Sequence, residues 1–138
     1  MERMTSKEYN EKLGSMFKVK RNKFNAKKTI IGEKKFDSMS EGNLYCEYKL
    51  QEKAGLIKAV ETQVKEELFA YGVHICNYYV DFLITHNDDS LEYVEHKSKG
   101  TVQPSWRIKY KMLEAKYKND KNVKISTNWY RGYKIINQ

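Results

Sequence analysis

Residues 73–98 read VHICNYYVDFLITHNDDSLEYVEHKS, and the reading of this stretch decides the fold. Val73–Ile84 is rich in Val, Ile, Tyr and Phe, residue types that suit a pleated, half-buried surface. His86-Asn87-Asp88-Asp89-Ser90 is a cluster of turn formers, and Leu91–Ser98 reads as the strand that returns. A turn centred on Asp88 sets Phe82 opposite Val94, Val80 opposite His96 and Asp81 opposite Glu95. Side chains alternate faces along a strand, so Asp81, Glu95 and Lys97 share one face, with Tyr79 opposite Lys97. A slip of one residue would turn every side chain to the other face, so this reading depends on the register.

Like charges directly opposite each other destabilise a sheet. An Asp facing a Glu beside Leu83, Tyr79 and Tyr93 therefore needs a compensating cation. A divalent ion such as Mg²⁺ accepts one or two carboxylates while keeping waters and substrate phosphates. Lys97 could hold or activate a water and neutralise charge developing on a phosphoryl group. The alternative is an exposed ion pair among the three residues, worth little.

Upstream, Ser38 has the place of an N-cap and Glu41 the spacing of a capping box, which predicts a helix to about Ala54 with Gly55 as its stop. Leu44, Tyr45 and Tyr48 form its apolar stripe, and Glu41 lies on the same stripe. Ile57–Val64 and Glu66–Tyr71 are expected as separate strands, with Gly72 in the next turn. Downstream, Pro104 suits the first residue of a helix to about Lys118. Val123–Thr127 is a short strand, and Tyr133–Ile136 is a candidate last one. Helix, strands, helix, strand is the order of an α/β or α+β domain with a mixed sheet. Residues 1–35 read as a polar, basic N-terminal arm with a short helix near Ser6–Phe17, or else as a solvated tail. Residues 36–138 read as the domain proper.

The formal net charge is +8 and the sequence pI about 9.3, a surplus that attracts polyanions. Cys46 and Cys76 form no CxxC pair or disulfide framework and read as core residues of a reducing compartment. No apolar run approaches the roughly 18 residues of a membrane span. Met1-Glu2-Arg3-Met4 does not open a signal peptide, so a cytoplasmic protein is expected, in a host cell's cytoplasm if phage-encoded. The absence of a Gly-rich phosphate loop argues against a nucleotide cofactor.

Tyr79-Val80-Asp81-Phe82-Leu83 followed by Val94-Glu95-His96-Lys97 resembles the PD-(D/E)xK nuclease motif, and Phe36-Asp37-Ser38-Met39-Ser40-Glu41 resembles the helix segment that carries a further acid in those enzymes. The chain is similar to small phage proteins of that superfamily and to phage endonuclease I-type Holliday-junction resolvases, over roughly Phe36 to Thr127. The resemblance implies a restriction-endonuclease-like αβββαβ core whose central mixed sheet is flanked by helices. It implies that Asp81, Glu95, the His96 carbonyl and Glu41 hold Mg²⁺ or Mn²⁺ and that Lys97 is catalytic. Val80 stands where the nominal motif has proline, and the glycine that often follows the lysine arrives only at Gly100. Gln63 falls where related phage sequences often carry glutamine, with no role assigned to it.

On this reading the partner is DNA, branched or distorted, cut by a homodimer. A nicking or restriction-type nuclease on ordinary duplex, or a non-catalytic DNA-binding protein with the same fold, are the alternatives. Arg107 and Lys109 on the second helix are candidate phosphate contacts, as are Arg21, Lys23, Lys27 and Lys28 in the arm; a solvated basic face is the bland alternative. Trp129, Tyr130, Arg131 and Tyr133 could stack on an unpaired strand, or be core. His74-x-Cys76 is a poor zinc pattern, and His86–Asp89 lacks the glycine and final glutamate of a calcium loop.

Overall fold

A computed structural model describes residues 5–8, 18–21, 27–98 and 101–129. Residues 6–8 are helical. The rest of the helix expected near Ser6–Phe17 lies outside the described residues, as do Lys23, Lys99-Gly100 and everything from Tyr130 onward, including the expected strand Tyr133–Ile136. The chain divides into two compact units, Met1–Gly55 and Leu56–Gln138.

In the first unit, the segment read as an arm contains strands. β1 (Lys18–Arg21), β2 (Lys27–Ile31) and β3 (Lys34–Phe36) form an antiparallel sheet in that order. Gly32, at φ +60°, opens the two-residue loop between paired Ile31 and Lys34. Glycine at the first loop position is what a tight hairpin of this kind requires. Ile31 and Phe36 are buried, and the Phe36 ring lies 5.0 Å from that of Tyr45. Interleaved lysines conceal this short apolar pattern in the sequence. Helix α1 (Met39–Lys53) starts where its cap predicts: the Ser38 Oγ accepts the Glu41 N–H at 3.1 Å. Such a cap contributes about 1 kcal/mol. Gly55, at φ +77°, follows the helix end, as expected.

The second unit is a mixed four-stranded sheet with a helix, so the fold is α+β. β4 (Ala59–Ala70), β5 (Val73–Thr85), β6 (Leu91–Lys97) and β7 (Val123–Trp129) lie in sequence order, antiparallel except for β7, which runs parallel to β6. Helix α2 (Pro104–Lys116) makes the crossover that the parallel pair needs, with Pro104 in its first turn. From α1 onward the order is helix, three strands, helix, strand. The two strands expected at Ile57–Val64 and Glu66–Tyr71 are one strand, because pairing with β5 continues through Val64 and Lys65. Tyr71 and Gly72, both at positive φ, close the β4–β5 hairpin, as a two-residue turn with left-handed central residues must.

The core of this unit gathers Leu68, Tyr78, Val80, Leu83 and Tyr93 from the sheet with Trp106 and Leu113 from α2. Trp106, Tyr110 and Leu113 recur at helical spacing, which turns one stripe of α2 inward. Each such large apolar side chain contributes about 1.5–3 kcal/mol by leaving water. Buried Glu66 joins three elements: it accepts hydrogen bonds from the Tyr93 hydroxyl, from the Tyr117 hydroxyl at 2.8 Å and from Lys116 Nζ at 2.7 Å. Cys46 is buried and Cys76 half-buried, both as free thiols in keeping with core roles. Among the described residues no helix is long and apolar enough to cross a membrane.

Candidate active site

The expected register is present from Phe82 to Thr85, and the expected pairs Val80–His96 and Asp81–Glu95 lie beyond the paired residues. β5 pairs with β6 through Phe82–Val94, Leu83–Tyr93, Ile84–Glu92 and Thr85–Leu91, around a turn in which Asp88 accepts from the Ser90 N–H and hydroxyl. Paired residues end at Phe82 and Val94. Beyond them the two acids take over from the backbone acceptors. The Asp81 N–H donates to Glu95 Oε2 at 3.2 Å, and the His96 N–H donates to Asp81 Oδ2 at 2.9 Å. The ladder therefore gives way to a reciprocal pair of carboxylate–amide bonds at the position where like charges face each other.

The alternation of faces breaks at the same place. Val80 and Leu83, three residues apart, join the same buried cluster, where strict alternation would send them to opposite faces. Across the β4 ladder, Gln63 has φ +51°, and the pairing passes from Thr62–Phe82 to Val64–Val80 without it. Its side chain turns to Asp81, with Nε2 3.3 Å from Oδ1. A left-handed non-glycine residue costs about 1–2 kcal/mol, and such residues concentrate where a site constrains the backbone. This break also corrects the expected place of Tyr79. That residue pairs with Lys65 and is exposed, and the tyrosine joined to the cluster is Tyr78.

Lys97 completes the group. Its ammonium lies 3.3 Å from Glu95 Oε1 and 4.8 Å from the centroid of the Trp106 ring. The Lys97 side chain is only 14% exposed and that of Glu95 6%, so this is not a solvated surface pair. Burial pushes the Glu95 carboxyl up to about 7, reinforced by Asp81 and opposed by Lys97. Burial also raises Asp81, against the His96 N–H, Lys97 and the Gln63 amide, all of which favour its anion. Buried Glu95 and half-buried Asp81 thus both lie in the field of one lysine.

The remaining expected residues are placed as follows. His96 turns its N–H toward Asp81. A strand residue points its carbonyl to the same side as its N–H, so the His96 carbonyl also faces β5. Glu41 is buried on α1, in the first unit, beside Leu44 and Tyr45 in the sequence stripe expected for it. Arg107 is exposed and Lys109 half-exposed on α2. Arg21 lies in β1, and Lys27 and Lys28 in β2. Trp129 packs against the core, edge-on to Trp106 at 6.3 Å, which is the structural rather than the stacking alternative. His74 bonds Asn77 at 2.9 Å, and Asp89 pairs with Lys58 at 2.5 Å.

Gln63 and Tyr78 are the members whose part was not read from sequence. The only sequence signal for Tyr78 was its place beside the motif. Among the described residues no group of three or more His, Cys, Asp or Glu side chains gathers as a metal site. The donors present, two converging carboxylates and a backbone carbonyl, suit a hard ion that keeps its own waters, and do not suit zinc.

Residues 21–132 match the model of a family described as "Protein of unknown function (DUF1064)". Neither the curated proteins nor the solved structures contain a match to the chain.

Proposed function

The chain belongs to the DUF1064 family, and we propose that it is a metal-dependent DNA endonuclease of the PD-(D/E)xK type, with Asp81, Glu95 and Lys97 at its centre. The observation that carries this reading is the convergence of buried Glu95, half-buried Asp81 and a largely buried Lys97 where the β5–β6 ladder ends. A structural ion pair needs one acid for one lysine. A surplus acid held out of water fits a site completed by a divalent cation and a phosphate. The order of elements from α1 to β7 and the mixed sheet support a restriction-endonuclease-like core.

Asp81, Glu95 and the His96 carbonyl would hold Mg²⁺ or Mn²⁺. When bound, the ion offers Lewis acidity and charge neutralisation to a phosphodiester. Asp81 is oriented for this by the His96 N–H and the Gln63 amide, which leave one lone pair free on each oxygen. Glu95 positions Lys97, whose ammonium can hold the attacking water in line and offset charge on the phosphoryl oxygens. The site lies at the end of a buried ladder, so its field is less screened than that of surface charges.

The net charge of +8 supports a polyanionic substrate. Branched DNA cut by a homodimer, in a cytoplasm, is the reading that accompanies a resolvase-like enzyme; Phe69, Tyr71, Val73 and Ile75 on the β4–β5 hairpin offer exposed apolar surface to a second copy. The test is cleavage of four-way junction, flap, linear duplex and single strand with Mg²⁺ or Mn²⁺, beside sedimentation of the protein with and without DNA. Cleavage is expected to fall by at least about a hundredfold in Asp81→Ala and Lys97→Ala. Cutting that persists in both variants sinks the site. Preference for linear duplex selects a nicking or restriction-type nuclease, and binding without cutting selects a DNA-binding protein.

A further inference from the structure

Lys97 is seated by aromatic residues that the motif does not include. Its ammonium lies 4.8 Å from the centre of the Trp106 ring and 3.3 Å from Glu95 Oε1. Trp106 is itself fixed: its Nε1–H donates to the Tyr78 hydroxyl at 3.0 Å. The Tyr78 hydroxyl, which accepts that bond, is buried within the field of the Glu95 carboxylate, and burial with that charge raises its pKa. All of these side chains are buried except Lys97, which is nearly so. The contacts therefore form a chain, from Glu95 to Lys97, to the Trp106 face and through the indole N–H to Tyr78. β5, β6 and α2 each contribute to it.

We propose that Trp106 and Tyr78 are positioning residues that hold Lys97 in its working geometry beside Glu95, Trp106 as a cation–π seat and Tyr78 as the anchor that fixes the indole. This rests on the reading of Lys97 as part of an active site, and it adds how that lysine is kept in place. A free lysine stem samples many rotamers. A desolvated ammonium over an indole face is held in one. The N–H of Trp106 matters as much as its ring. It ties the indole to the Tyr78 hydroxyl and so fixes the plane of the ring under the ammonium. Docking of α2 on the sheet thereby sets the lysine, because the seat arrives with the helix.

The lysine seat can be read without any enzymatic activity. Protons beside an indole face are shifted upfield by its ring current. In protein carrying labelled lysine, the Lys97 ε-methylene resonance, assigned by its loss in Lys97→Arg, is expected upfield of the exposed lysines. Trp106→Leu should return most of that shift. Trp106→Phe, which keeps a ring but loses the N–H, should retain part of it and stands in if the leucine variant does not fold. Tyr78→Phe should reduce the shift while leaving the fold intact.

In single-turnover cleavage, Tyr78→Phe and Trp106→Phe are expected to lower the rate about ten- to a hundredfold with the DNA concentration for half-saturation nearly unchanged. A Lys97 resonance among the exposed lysines in the native protein, or unmoved in Trp106→Leu, overturns the proposal. So does a variant that weakens DNA binding without slowing the bound reaction. A native protein that cuts no DNA overturns the nuclease reading, and the resonance still decides the seat.

Discussion

Gln63 sits at φ +51° within a twelve-residue strand, directly across from the place where β5 changes face. Glycine adopts this conformation freely, and alanine does not. Gln63→Gly should therefore be more stable than Gln63→Ala by about 1 kcal/mol, read as the difference in denaturant midpoint. Both lose the amide bond to Asp81, so both should cleave DNA more slowly than the native chain. An alanine variant as stable as the glycine variant would show that the backbone there is not left-handed.

Glu95 gives a second prediction at this scale. Its carboxyl is pushed up from 4.5 to about 7 by burial and by Asp81. Between those values the unfolded chain is ionised and the folded chain holds a proton, so folding gains from acid. That gain is full below about 4.5 and gone above about 7. Metal-free protein should lose on the order of 2 kcal/mol of stability from this group between pH 5 and pH 8. Glu95→Gln should flatten the loss, as thermal melts at the two pH values would reveal. An equally steep loss in the variant would assign the titration to another group.

Among the elements, the β5–β6 hairpin was the most legible. Its turn residues fix the centre, and both strands carry β-formers, so the register follows from counting. What the counting could not see was the break in alternation at Asp81. Its cause lies partly in Gln63 on the neighbouring strand, and no local pattern around residue 81 encodes it. One strand, Ala59–Ala70, read as two because charged residues interrupt its apolar pattern around Lys65. β1 to β3 were hidden for a different reason: short strands full of lysine have no apolar alternation to count.

The helix starts were legible because a single residue marks each one, Ser38 as a side-chain cap and Pro104 in the first turn. The contact of Trp106 with Lys97 was not legible, because it depends on how α2 docks. Glu66, which joins β4, β6 and α2, belongs to this scale too. Burial opposes its ionisation, yet Lys116, Tyr93 and Tyr117 outweigh that and hold its carboxyl below the usual range. The stability it contributes is present at neutral pH and lost as acid protonates it, the reverse of Glu95. Glu66→Ala should cost about 2–4 kcal/mol at pH 7, by stranding two tyrosine hydroxyls and loosening the end of α2. A loss under about 0.5 kcal/mol in denaturant unfolding would mean that α2 is held by its apolar stripe alone.

At the scale of the whole molecule, charge separates binding from chemistry. The surplus of +8 acts at long range and is indifferent to sequence, whereas the acids of the proposed site would repel phosphate until a cation joined them. Asp81→Ala removes one of those acids and leaves the basic surface intact, so this variant should bind duplex DNA without cutting it. Its affinity should fall steeply with salt, because each phosphate neutralised by a lysine or arginine releases counterions, at about 0.9 units of log–log slope per contact on duplex. Arg107 is exposed and Lys109 half-exposed on α2, the helix that also carries Trp106 to the site. If α2 lies along the phosphates, adding Arg107→Ala and Lys109→Ala to the inactive variant should reduce the magnitude of the slope by about 2. It should weaken binding to every DNA sequence alike. Titration by fluorescence anisotropy across a salt series measures both quantities. An unchanged slope would leave the basic face of α2 as a solvated one and move the phosphate contacts elsewhere, with Lys27 and Lys28 on β2 the next cations to remove.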